Sequence, residues 1–346
     1  MEAAPPVTLL LPNRDNAPVL DLVLDRLAEN TSYQDFELLV VDDGSSDGSR
    51  EILRRWRDSG RFANFTLIER EHGPGGVVDA LNAGLDAAGG ELVVQMDADA
   101  SIESEGWLES MVGFFLSDER VGVVTGKIVF DWGEVHTCGV DVVGPEGFHD
   151  RGAAITEPVG RRSYHQRVLR SSEDDCPGCD SIAEVDGGIG CCMMYRRDVA
   201  REIGGYDPGW APVWFDDLDL TLCIRREGLK VFYLPSVRVV HHVGLRIAGE
   251  PAPKRAATGV RKAIGRTVSP ATRRRISQGL NLDRPPRDKW ARLERHYAYW
   301  QEKWGFDMLN PDMEAVLRRW GGSEVCWRYD PEMREAGERI ASWTPA

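Results

Sequence analysis

Residues 7–11, 36–41, 65–68 and 91–96 are apolar runs of strand length, and helically spaced hydrophobics such as Leu20, Val23, Leu24 and Leu27, or Ile52, Leu53 and Trp56, lie between them. Strand, helix, strand, helix at that rhythm predicts a mostly parallel sheet wound with helices, an α/β fold. Such sheets bind ligands beyond the carboxyl ends of their strands. The first run ends in Pro12, Asn13 and Arg14, the second in Asp42 and Asp43, and the fourth in Asp97 and Asp99. Three polar clusters are therefore expected to converge on one crevice.

An extended chain sends successive side chains to opposite faces, so Asp97 and Asp99 should emerge on the same side. Two carboxylates held that close repel and invite a cation. Oxygen ligands select a hard one, Mg²⁺ or Mn²⁺, which can in turn hold a diphosphate. The plainer alternative is a helix cap or a solvated turn. The glycine-rich stretch 71–85 lets backbone approach a ligand, but Pro12 replaces the Gly-x-Gly turn of a dinucleotide site, which disfavours a dehydrogenase.

A net charge of −14 argues against a general nucleic-acid partner. No apolar run approaches the roughly 18 residues of a membrane span, and the first residues lack the pattern of a signal peptide, so a cytoplasmic protein is expected. Seven cysteines, two of them adjacent at Cys191 and Cys192, predict reduced thiols. Cys176 and Cys179 have metal-ligand spacing that Cys191 and Cys192 would complete. With no second pair at standard spacing, solvated loop thiols are the favoured reading.

Further along, residues 107–115 read as a helix, 121–125 as a strand, and 131–186 as a long segment of weak periodicity. Trp214 and Phe215 precede Asp216, Asp217 and Asp219 in the first turn of a helix. Acids are ordinary there, but the same field keeps a general base ionised, and the two aromatics suit a sugar face. Residues 231–244 read as a strand pair ending in His241 and His242.

Taken in order, Leu11-Pro-Asn-Arg14, Val41-Asp-Asp-Gly-Ser-Ser-Asp47, Ala80-Leu-Asn-Ala-Gly84, Met96-Asp-Ala-Asp99, Gly204-Gly-Tyr-Asp207, Phe215-Asp-Asp-Leu-Asp219 with Arg225, and Pro235 to His241 resemble glycosyltransferase family 2. The resemblance spans roughly residues 5–245 and looks most like bacterial rhamnosyltransferase-type members. It implies the GT-A fold and a metal-dependent, inverting transfer of a sugar from a nucleotide-diphospho-sugar, a UDP- or dTDP-sugar favoured, to a hydroxyl of a glycan, lipid-linked or small-molecule acceptor. It also implies roles. Pro12, Asn13, Arg14, Asp42 or Asp43, and Asp97 hold the nucleotide; Asp99, with Asp97 and His241, or its rival His242, holds Mg²⁺ or Mn²⁺. Asp217, with Asp216 where relatives carry Glu, removes the acceptor proton, while Gly187, Gly188, Trp214 and Phe215 line the acceptor. Asp79 stands where some relatives have a basic residue. The rivals are a sugar nucleotidyltransferase, which wants a basic Gly-rich loop after the first strand, and a silent nucleotide- or glycan-binding module, which needs no base.

The expected division is a catalytic domain over 1–245 and a basic, then Trp-rich helical extension over 246–346. Lys and Arg crowd 254–275 without an acid, reading as a solvated linker, a cover for the diphosphate or a dock on the inner face of a membrane. Trp290, Leu293, Tyr297, Trp300 and Trp304 recur at helical spacing, as packing, an acceptor platform or a self-association face.

Overall fold

The computed structural model describes residues 4–141, 149–150, 153–155, 168–170, 172–243 and 287–306. The basic stretch 254–275, Gly244, Trp320, Trp327, Trp343 and the side chain of Trp290 lie outside them.

Strands β1 (Val7–Asn13), β2 (Phe36–Asp43), β3 (Phe65–Arg70) and β4 (Leu92–Gln95) alternate with helices α1 (Ala17–Asn30), α2 (Ser49–Asp58) and α3 (Gly76–Ala87). Every residue of β1 and β4 is buried, as central parallel strands require. α1 starts with Pro18 in its first turn and buries Val19, Leu20, Val23, Leu24 and Leu27 on one stripe. Then come β5 (Ala100–Ile102), α4 (Trp107–Ser117), β6 (Val121–Phe130) and β7 (Val135–Thr137). Short pairings join β8 (Val140–Asp141) to β9 (His149–Asp150) and β10 (Ala153–Ile155) to β11 (Val168–Arg170). The chain continues through β12 (Ala183–Val185), β13 (Met193–Arg196), α5 (Arg197–Glu202), α6 (Asp216–Arg226), β14 (Lys230–His241) and α7 (Arg287–Trp304).

The main sheet runs β12-β14-β6-β13-β4-β1-β2-β3, with β5 on β14 and β7 on β6. β1 to β4 are mutually parallel where they pair, whereas β13 inserts antiparallel between β4 and β6. Two apolar layers cover the two faces.

Two sequence expectations change. Residues 230–241 form one strand, not a pair: Pro235 lacks an amide to donate, and a register shift against β6 between Leu234 and Arg238 absorbs it. Cys176 and Cys179 are neither solvated nor reduced; both are buried and joined by a disulfide. They are not grouped with Cys191 or Cys192, which follow the insertion; Cys191 lies instead beside Asp97 and His241. The weakly patterned insertion hides β7 and β12 because each is only three residues long, too short for a period to register.

α7 packs into the same core as the catalytic strands. Leu293, Trp300 and Trp304 are buried, and Trp300 lies 6.0 Å from the ring of Trp210. Lys303 Nζ bridges Asp207 Oδ2 and Asp219 Oδ2 at 2.5 and 2.7 Å. The aromatic stripe is therefore packing within the described residues. No described helix is long and apolar enough to cross a membrane.

Candidate functional site

The register of the parallel strands places Asn13 opposite Asp42 at the carboxyl ends of β1 and β2. Asn13 Nδ2 donates to Asp42 Oδ1 at 2.8 Å, and Arg50 Nε donates to Asp42 Oδ2 at 2.7 Å. Burial alone would raise the Asp42 carboxyl, but the bonds from Arg50, Ser45 and Asn13 hold it below its usual range. Asp42 is thus satisfied from within the fold. Its neighbour Asp43 faces the loop after β3: His72 Nδ1 lies 2.7 Å from Asp43 Oδ2, while buried Asp43 Oδ1 has no partner among the described residues. Arg14 Nη1 reaches the same ring, 2.9 Å from Nδ1 and 2.5 Å from Nε2. Pro12 is buried in β1 and supplies shape without a polar side chain. The sequence reading passed over His72, whose Gly-rich setting signals only a loop.

β4 stops at Gln95, and β5 then pairs antiparallel with the end of β14, Ala100 opposite His241. That pairing carries His241 to the carboxylates: His241 Nε2 lies 3.2 Å from Asp99 Oδ1, and ligand atoms of Asp97, Asp99 and His241 all lie within 4.8 Å of one another. His242 goes elsewhere. Successive strand residues face opposite ways, so its ring turns inward to Ser101 Oγ at 2.8 Å, and burial lowers its pKa. The rivalry between the two histidines is resolved by this strand parity, and His242 does not join the carboxylates.

The third cluster comes from the loop before β13 and the start of α6. Gly190 donates its amide to Asp217 Oδ2 at 2.7 Å, and the Leu218 amide donates to Asp217 Oδ1 at 2.7 Å. Cys191, the next residue, donates its thiol to Asp97 Oδ2 at 3.1 Å. A Cβ at position 190 would sit 2.2 Å from Gln95 Nε2, so any larger residue would have to push that amide aside for the loop to run so close to β4. Burial pushes Asp217 up to about 6; the two amides offset part of that rise, and nearby Asp97 adds to it. Asp216 is raised well above the usual range by burial and by Asp217 beside it. Of these two adjacent acids, the half-buried one held by two amides ionises more readily than the buried one.

Among the residues expected at an acceptor site, Gly187 has a packing task, since a Cβ there would meet Leu218 Cδ1 at 2.4 Å. Gly188 similarly abuts Thr125. The Phe215 ring packs among Trp210, Tyr297 and Trp300, which withdraws it from a sugar-facing wall. Trp214 has the guanidinium of Arg292 5.2 Å above its ring. Both aromatics adopt left-handed backbone, φ 86° and 67°, a conformation costing on the order of 1–3 kcal/mol per residue, and α7 is the brace that holds it. Cys191 and His136, which lies 3.4 Å from His241 Nδ1, are further site residues that the sequence reading did not reach. The adjacent pair Cys191-Cys192 was a visible signal, but it pointed to reduced thiols or to a metal site shared with Cys176 and Cys179, not to Asp97.

A parallel sheet with an antiparallel insertion, an Asp-x-Asp beyond β4 and a late histidine define a nucleotide-diphospho-sugar transferase fold of the GT-A class. GalNAc-T7, solved with UDP, GalNAc and Mn²⁺, shares that fold, with a TM-score of 0.53 and 16% identity over 70% of this chain and 44% of that one. The chain belongs to Glycosyl transferase family 2, whose sequence profile matches residues 8–204, more than half of its length. It is 26% identical over 269 residues to protein y4gI of Sinorhizobium fredii, covering 74% of this chain and 26% of that protein. It is also 26% identical over 249 residues to the O-antigen biosynthesis protein RfbC of Myxococcus xanthus, covering 70% of this chain and 18% of RfbC. The chain thus spans about a quarter or less of the length of these two relatives.

Proposed function

We propose that this chain is a divalent-metal-dependent, inverting glycosyltransferase that uses a nucleotide-diphospho-sugar. The observation that carries the reading is the Gly190–Cys191 step, where one residue fixes Asp217 and the next fixes Asp97. A proton acceptor and a cation-binding acid are thereby held in mutual register by a single loop.

Asp97, Asp99 and His241 would hold the ion, and their oxygen-rich donor set fits Mg²⁺ or Mn²⁺. Bound there, such an ion supplies compensation for charge on the departing diphosphate. Asp217 takes the proton of the acceptor hydroxyl as that oxygen bonds to the anomeric carbon. The bond from that carbon to the phosphate oxygen breaks on the opposite face, and the nucleoside diphosphate leaves with the electron pair. One displacement inverts the anomeric configuration. Asp216, the more strongly raised acid, keeps its proton. Asp43 is the nucleotide-facing acid, with Asn13 and Arg14 at its flanks and Asp42 as support. The buried Asp43 oxygen with no partner among the described residues suits a ring N–H, which uracil, thymine and guanine carry and cytosine lacks, so it disfavours a CMP-sugar and is compatible with a UDP- or dTDP-sugar. Trp214 is the remaining candidate for an acceptor wall. The name of one relative, an O-antigen biosynthesis protein, supports an acceptor of the glycan kind.

The test is donor hydrolysis with water as acceptor. Each of UDP-, dTDP-, GDP- and CMP-sugars is incubated with and without Mn²⁺, and nucleotide release and the anomer first formed are followed by NMR. Metal-dependent release from one donor class with inverted sugar supports the proposal. Retained configuration would overturn the inverting mechanism, and metal-independent release would overturn the role of the carboxylates.

A further inference from the structure

Three sulfurs meet at one point away from the carboxylates. Cys138, just after β7, and Cys176 and Cys179, far along the same insertion, are all buried, and their Sγ atoms lie within 4.8 Å of one another. The Cys-Pro-Gly-Cys turn brings two of them together: the Cys179 amide donates to the Cys176 carbonyl at 2.8 Å, and the two Cα atoms are 5.4 Å apart. Tyr233 of β14 anchors the turn by donating its hydroxyl to the Cys179 carbonyl at 2.5 Å. A disulfide accounts for two cysteines. It gives no reason for a third buried thiol converging on the same point from about forty residues away.

We propose that, once the Cys176–Cys179 disulfide is reduced, Cys138, Cys176 and Cys179 form a thiolate site for Zn²⁺. A dithiol reductant supplies two electrons and two protons, which convert the disulfide to two thiols while the reductant becomes a disulfide. Zn²⁺ then displaces the three thiol protons and takes a water as fourth ligand. Zinc–sulfur bonds of about 2.3 Å in a tetrahedron place sulfurs roughly 3.8 Å apart, a spacing that this cluster accommodates. Thiolates select zinc over the hard ions suited to Asp97 and Asp99. The ion would staple both ends of the insertion to β14, the strand that ends in His241. This site does not depend on the transferase reading.

The chain is purified under a dithiol reductant without chelator, loaded with Zn²⁺ and desalted, and its zinc is measured by elemental mass spectrometry. One zinc per chain is expected, lost in Cys138→Ser and in Cys176→Ser, and kept in Asp99→Ala. Because a substituted chain can fail to fold, the wild type is also alkylated with and without bound zinc, and its peptides are mapped. Cys138, Cys176 and Cys179 should react much more slowly with zinc present, and replacing zinc by Co²⁺ should give thiolate-to-cobalt charge-transfer absorption. No retained zinc, equal alkylation with and without the ion, or a disulfide that persists under reductant would each overturn the proposal. So would zinc kept in Cys138→Ser and lost in Cys191→Ala, which would move the ion to His136, Cys191 and His241.

Discussion

Asp42 and Asp217 are acids at the mouth of the same sheet, the first fully buried and the second half-buried, and the fold drives them in opposite directions. Asp42 is met by Arg50, Asn13 and Ser45, so it stays ionised and inert as a strut for the β1–β2 edge. Asp217 has two amides, a second acid beside it and Asp97 nearby, and it is held at about 6. A carboxylate paired with a guanidinium is scaffold, whereas one crowded by other acids can exchange a proton near neutral pH. The residue type alone does not separate the two; the supply of countercharge does.

If that contrast is right, Asp217→Asn should lower turnover by about 10²–10⁴-fold while leaving donor affinity within a few-fold, as separate measurements of kcat and calorimetric binding would reveal. Comparable loss in Asp42→Asn with an intact fold would erase the distinction. Asp42→Ala should instead cost stability, about 1–3 kcal/mol in denaturant unfolding, because it removes the acceptor of the buried Asn13 amide. Lys303→Met, which removes the bridge between Asp207 and buried Asp219, should cost about 2 kcal/mol. It tests whether α7 belongs to the catalytic unit, and an unchanged unfolding midpoint would detach it.

The smallest expected effect is in pH. Activity should fall about tenfold per unit below pH 6 as Asp217 takes up its proton. Stability behaves oppositely at the two acids. A carboxyl raised by folding stabilises the protein when protonated, so the Asp217 contribution is lost as pH rises through about 6. The Asp42 contribution is present above the ordinary carboxylate range and is lost as pH falls through its lowered value. Stability curves of Asp217→Asn and Asp42→Asn against wild type would separate the two.

The parallel half of the sheet was legible in the sequence because its strands are long, buried and locally paired. Asn13, Asp42, Asp97 and Asp99 follow directly from where those strands end. The preference for His241 over its rival His242 rested on resemblance alone, since its physical cause is the β5–β14 register, which pairs Ala100 with His241 far along the chain. His72 and Cys191 escaped for the same reason: their significance lies in contacts with Asp43 and Asp97 across the crevice. Phe215 misled because an aromatic next to acids reads alike whether it faces a sugar or the underside of α7. The disulfide was hidden by cysteine parity, which says nothing of burial.

The most direct test of the central claim, that Asp97, Asp99 and His241 hold a cation that in turn holds a nucleoside diphosphate, is calorimetry of UDP and dTDP with wild type and Asp99→Ala, with and without Mn²⁺. Metal-dependent binding of one diphosphate by the wild type, lost in Asp99→Ala, is the predicted result. Binding of equal strength without metal, or unchanged by Asp99→Ala, would contradict it.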